Sequence, residues 1–135
     1  MKYFIIEELT DSAVARQLHI DNTPDKMCIQ NLQALVEHVL DPAREVLGKP
    51  IRVNSGYRCP RLNKCVGGVD NSQHTIGEAA DIDTGHPAEN KRLFEILLKL
   101  PFDQLIWERG NKQGPAWIHV SYKRNGENRK EVLYQ

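Results

Sequence analysis

The stretch Ser72-Gln73-His74-Thr75-Ile76-Gly77-Glu78-Ala79-Ala80-Asp81-Ile82-Asp83 sets a histidine and an aspartate seven residues apart, with glycine and alanine between them. Ala79 to Asp83 reads as a strand whose two-residue alternation puts Ala79, Asp81 and Asp83 on one face and Ala80 and Ile82 on the other. Gly77 precedes it, and a glycine there lets the chain fold His74 back toward the strand. An imidazole and a carboxylate then share one side of a loop-to-strand junction. What they do depends on which other residues reach them.

The surrounding sequence predicts the elements that could supply a partner. Thr23-Pro24-Asp25 reads as helix cap, first-turn proline and first-turn acid. Ile29, Leu32, Leu35, Val36, Val39, Leu40, Ala43, Val46 and Leu47 then form a helical stripe that stops at Gly48. Pro42 is expected to kink or divide this core helix after Leu40, with Asp41 capping the second piece. Residues 50–55 alternate as a strand, Gly56-Tyr57-Arg58-Cys59-Pro60 turns into a short helix ended by Gly67-Gly68, and a further helix runs from Pro87 to Leu100. DQLIWE and AWIHVSY are strands joined by the turn-like RGNKQGP, and EVLYQ is a candidate edge strand. Helices before and between mostly hairpin-connected strands predict a single α+β domain: a central antiparallel sheet with helices packed on one side. Residues 1–22 are read as an N-terminal helical flap and residues 23–135 as the core.

Composition narrows the function classes. The 135 residues suffice for one core. Lys plus Arg equals Asp plus Glu at 18 each, so there is no basic field for a nucleic-acid backbone. The start, MKYFIIEEL, lacks a signal-peptide core, and no apolar run is long enough to span a bilayer. Synthesis in the cytosol and a monomeric state are the expectations. Cys28, Cys59 and Cys65 contain no Cys-x-x-Cys pair, which argues against a disulfide or zinc-ribbon framework.

A third partner comes from AWIHVSY, where His119 alternates with Trp117 and Ser121 on one face. Two imidazoles and a carboxylate are the ligands of a zinc ion that keeps its fourth position open, the hydrolytic rather than the structural arrangement. Glu108 at the end of DQLIWE is the candidate general base, and Arg58 the candidate holder of a carboxylate or oxyanion. Asp83 is a candidate to orient a ligand imidazole from behind. Each residue alone has a plainer reading. His74 and Asp81 fit a turn and a solvated strand, and His119 fits a half-buried sheet histidine. Glu108 fits a charged strand end, Arg58 a solvated arginine, and Trp107 and Trp117 sheet-pairing residues. His19, His38 and His86 have no companions at ligand spacing.

Together, SGYRCPRLNKCVGG, SQHTIGEAADI, FDQLIWE and WIHVSY resemble the zinc D-alanyl-D-alanine carboxypeptidases and their L-alanyl-D-glutamate endopeptidase relatives, which share a fold with the hedgehog signalling domain. The resemblance runs over residues 24–122. Its pattern Ser-x-His-x-x-Gly-x-Ala-x-Asp falls on Ser72 to Asp81. It implies zinc on His74, Asp81 and His119, and a substrate or transition-state role for Arg58, with Ser72 and Trp117 placed on the substrate side. It also implies the peptidoglycan stem peptide as substrate. A route to the wall without an export signal would be lysis or a phage particle. Many relatives carry a glutamate three residues before the last ligand, where this chain has Ala116. Glu108 can substitute if the hairpin pairs residues whose numbers sum to an odd value, Glu108 opposite Trp117, or if a bulge gives the same result, since either puts it on the face of His119. That register is the expectation. The alternatives are a non-catalytic zinc-stabilised module that binds wall peptide or a protein, and a phage or prophage component.

Overall fold

A computed structural model describes residues 1–135. The helical core begins at Asp25, whose carboxylate accepts from the Cys28 N–H at 2.8 Å and so caps helix α3 (Lys26–Leu35). The cap expected at Thr23 lies two residues further on, because Thr23 spends its hydroxyl and its N–H on the Asp21 side chain. After α3 comes a π-helical turn (Val36–Leu40) and then α4 (Asp41–Leu47), closed by Gly48 at φ +73°. Pro42 explains the wide turn, since its ring and its missing N–H disrupt the four-residue ladder. The expected cap at Asp41 is not made. Its carboxylate accepts from the backbone N–H groups of Lys2 and Tyr3 at 2.6 and 3.0 Å and pins the N-terminus to the core helix. Leu32, Leu35, Val36, Val39, Leu40, Ala43 and Leu47 are sealed from solvent, whereas Val46, placed in the stripe by periodicity, faces out.

Five strands form the sheet: β1 (Arg52–Ser55), β2 (Ala79–Asp83), β3 (Gln104–Glu108), β4 (Trp117–Ser121) and β5 (Glu131–Tyr134), in the order β1-β2-β4-β3-β5. The first four are antiparallel neighbours, and β5 joins β3 in parallel at the edge. The parallel edge follows from where the chain returns. The Glu131 N–H donates to the Asp103 carbonyl at 3.0 Å, so β5 starts beside the start of β3. Ala80, Ile82, Leu105, Ile118 and Val120 are fully buried on one face against α3, α4 and α6 (Pro87–Leu97). Trp107 lies on that face too, with its ring edge-on to Phe94 at 5.3 Å. The opposite face carries Asp81, His119, Glu108 and Trp117, and the register pairs Glu108 with Trp117 and Ile106 with His119, as the odd-sum expectation requires.

Residues before 22 form α1 (Ile6–Thr10) and α2 (Ala13–Gln17). Phe4 and Leu9 belong to the main core cluster, and the Leu9 carbonyl accepts from Tyr57 N–H at 2.7 Å, so the segment is tied to the loop after β1. Gly56 permits that approach: a Cβ there would lie 2.2 Å from the Leu9 carbonyl oxygen. Helix α5 (Pro60–Cys65) follows. No helix is long and apolar enough to cross a membrane.

Candidate metal centre

His74 sits in a 3₁₀ turn (Gln73–Ile76) that the Ser72 hydroxyl caps by accepting from the His74 N–H at 3.2 Å. Gly77 ends the turn at φ +77°, and a Cβ on it would meet the Cys28 carbonyl oxygen at 2.5 Å, so glycine satisfies both the torsion and the packing. The His74 ring is buried. Its Nδ1–H donates to the Gly56 carbonyl at 2.7 Å, which leaves the Nε2 lone pair free. His119 and Asp81 face each other across β4 and β2. The His119 Nε2–H donates to Gln73 Oε1 at 3.1 Å, which leaves Nδ1 free.

The free atoms meet. Asp81 Oδ1 lies 3.3 Å from His74 Nε2 and 3.1 Å from His119 Nδ1, and all three ligand atoms lie within 4.8 Å of one another. Ligands about 2 Å from one ion at tetrahedral angles stand roughly 3.3 Å apart, so the spacing suits zinc. The donor set suits it as well: each imidazole is held from behind by an oxygen acceptor, the support that ligating histidines usually have. Burial by itself would raise the Asp81 carboxyl. When the two imidazoles are protonated, the hydrogen bonds and positive charge of His119 and His74 outweigh burial and hold it well below the usual carboxylate range, in the ionised form a ligand needs.

Around this centre lies an open cleft of about 490 Å³ lined by Arg58, Ser72, Glu108 and Trp117 among others, so the structure gathers the metal and substrate candidates in one place. Glu108 is half-buried. Desolvation and the nearby Asp81 charge push its carboxyl up, opposed by His119, Arg109 and His74. Ala116, three residues before His119, is exposed. Arg58 has a backbone N–H that donates to the His74 carbonyl at 3.0 Å, and its Nε is buried without a partner. Burial lowers its guanidinium from the ordinary value and the Asp81 charge counters this. Arg58 also lines a second cavity of about 630 Å³ between the N-terminal helices and β1. The Arg109 guanidinium lies over the Trp117 ring at 5.8 Å.

Asp83 does not take the place expected of it. Its carboxylate accepts from Arg52 Nη2, Asn90 Nδ2 and Gly85 N–H at 2.8, 2.9 and 2.8 Å, and it bonds to neither ligand imidazole. It shares a face with Asp81 but lies about 7 Å further along the strand. The supporting positions belong instead to the Gly56 carbonyl and to Gln73, which sequence reasoning missed. Gln73 adjoins His74 in sequence, but nothing local ties it to His119. Asn22 was missed as well. Its amide donates to the Thr10 and Tyr57 carbonyls and its oxygen accepts from Cys59 N–H at 2.7 Å, so it clamps the turn that carries Arg58. The three cysteines are unbridged, and burial raises the Cys28 thiol to about 11. His38 stacks on Tyr122, and His86 precedes the first turn of α6.

A family model described as peptidase M15 matches residues 2–121. Over 47 residues the chain is 47% identical to a zinc D-Ala-D-Ala carboxypeptidase of Streptomyces albus G, a match that covers 34% of this chain and 18% of that protein. The chain thus spans well under a quarter of that relative in the match.

Proposed function

The chain belongs to the peptidase M15 family, and from that premise we propose that it is a zinc-dependent peptidase that hydrolyses a peptide bond in the peptidoglycan stem peptide. The observation that carries the proposal is the convergence of His74 Nε2, Asp81 Oδ1 and His119 Nδ1 in a cleft that also holds a carboxylate and a guanidinium.

Zinc bound there would supply a Lewis acid that polarises the scissile carbonyl and brings the pKa of a coordinated water down to about 7. Glu108 takes the proton of the attacking water and passes it to the leaving amine. Partial burial is the main cause of its raised carboxyl, and that part does not depend on the charge of the ligands. Arg58 offers guanidinium N–H groups to a substrate carboxylate or to the developing oxyanion, and its unpartnered Nε gives it capacity to spare. Trp117 and Ser72 form the wall against which the peptide lies, and Ser72 also holds the His74 turn. The two imidazoles keep their orientation through Gly56 and Gln73.

The test is to incubate zinc-loaded protein with purified peptidoglycan and weigh the fragments. Release of free D-alanine identifies a carboxypeptidase, and a new D-glutamyl amine end identifies the endopeptidase. Glu108→Gln should lose about 10²–10⁴ in rate while keeping its zinc. The exposed Ala116, where relatives carry a glutamate, favours a second reading, a zinc-stabilised module that binds wall peptide without cutting it. Zinc retention with no new amine ends would establish that reading instead.

A further inference from the structure

We propose that the buried Asp103 carboxylate is a positioning residue for the metal centre: it holds the Gln73 amide so that Oε1 faces His119, and thereby commits His119 to the tautomer that offers Nδ1 to the metal. This rests on the reading of His74, Asp81 and His119 as ligands. Asp103 touches none of them.

The chain of contacts is continuous. His119 Nε2 meets Gln73 Oε1 at 3.1 Å, and Gln73 Nε2 donates to Asp103 Oδ2 at 3.0 Å. Asp103 is fully buried and paired with Arg129, which donates from its backbone N–H, Nε and Nη2 at 3.0, 3.0 and 2.9 Å. A glutamine amide is nearly symmetric in shape but opposite in chemistry at its two ends, so its orientation is decided by what each end faces. A carboxylate only accepts. It must face the NH₂ group, which turns Oε1 toward His119 and requires the proton on Nε2.

The alternative network is also complete, which is why a selector is needed. With the amide reversed, NH₂ would donate to His119 Nε2, and the ring proton would move to Nδ1. It would then point at Asp81 Oδ1, 3.1 Å away. Two of the three ligand atoms would be satisfied by each other, and no lone pair of His119 would face the ion. In that state Oε1 would lie against an Asp103 oxygen, acceptor to acceptor at 3.0 Å. Asp103 therefore excludes the self-satisfied arrangement.

Three variants of the full chain separate this from a merely structural ion pair. Asp103→Asn keeps the shape but can donate as well as accept. Gln73→Met removes the relay. Arg129→Lys keeps an ionised, acceptor-only Asp103 but loses the bidentate fork that ties β5 to the sheet. Zinc affinity by competition with a chelator should fall about 10–100-fold in the first two and stay near wild type in the third, although its thermal midpoint drops. Imidazole ¹⁵N spectra of the zinc-free proteins should show His119 as the Nε2–H form in the wild type and a growing Nδ1–H form in Asp103→Asn. The proposal is overturned by an unchanged tautomer in Asp103→Asn, by wild-type zinc affinity there, or by an equal loss in Arg129→Lys. If Asp103→Asn does not fold, wild-type affinity in Gln73→Met overturns it. A wild-type chain that binds no zinc would refute the peptidase reading, while the tautomer spectra would still decide the role of Asp103.

Discussion

Arg58 shows how much one side chain can depend on others distant in sequence. Asn22 brackets its backbone, and its own N–H is spent on the carbonyl of a metal-ligand candidate. Arg58→Lys should therefore lower kcat/KM by about 10–100-fold, the worth of a charge-assisted hydrogen bond, because a lysine cannot reproduce the planar fork. Steady-state kinetics on a stem-peptide substrate would measure it, and an unchanged value would remove Arg58 from substrate binding. Asp81→Asn should abolish stoichiometric zinc in equilibrium dialysis, since the neutral amide gives up the anionic ligand between two imidazoles. At this scale the sequence was informative about faces. Alternation gave each strand its two faces, but Glu108 joined the side of Asp81 and His119 only through the register that pairs it with Trp117. The reading failed at Asp83, because alternation specifies the side of a strand but not the height along it, and one repeat was enough to carry that carboxylate out of reach.

Among the elements, the 3₁₀ turn that carries His74 depends on Gly77. Gly77→Ala must hold a side chain at φ +77° and push it toward the Cys28 carbonyl. It should cost about 1–3 kcal/mol in urea unfolding and weaken zinc binding in parallel. A folded variant with wild-type stability would show that the turn can shift without harm. Helix positions were legible from periodicity, but their boundaries were not. The cap moved from Thr23 to Asp25, and Pro42 produced a π turn without a side-chain cap, since several nearby oxygens can serve and only their contacts decide. The direction of β5 was equally hidden: EVLYQ looks the same whether it runs with or against β3.

For the molecule as a whole, zinc should act as a stabilising ligand. At 100 times its dissociation constant it adds about 2.7 kcal/mol, so chelation should lower the thermal midpoint by several degrees, and Asp81→Asn should show no such shift. The Asp103–Arg129 pair gives a pH dependence of definite sign. Burial alone would raise the Asp103 carboxyl, but the Arg129 hydrogen bonds and charge hold it below its ordinary value. Its stabilisation is then complete above the unfolded carboxylate value near 3.9 and is lost as pH falls through the lower folded value. The stability difference between wild type and Arg129→Met, read from urea midpoints, should be steady from pH 7 to about 5 and shrink below about pH 4.

By itself the sequence determined the elements and most of the apolar stripe that each buries, because helical and strand periodicities are local properties that each segment carries, while the ligand candidates came from the motif resemblance rather than from periodicity. Tertiary structure alone decided that Gly56 and Gln73, rather than Asp83, stand behind the histidines, that β5 runs parallel, and that Asp103 reaches the metal centre through an amide. These depend on loop paths that bring residues 18 to 46 positions apart into hydrogen-bond contact, a distance over which no local pattern can act.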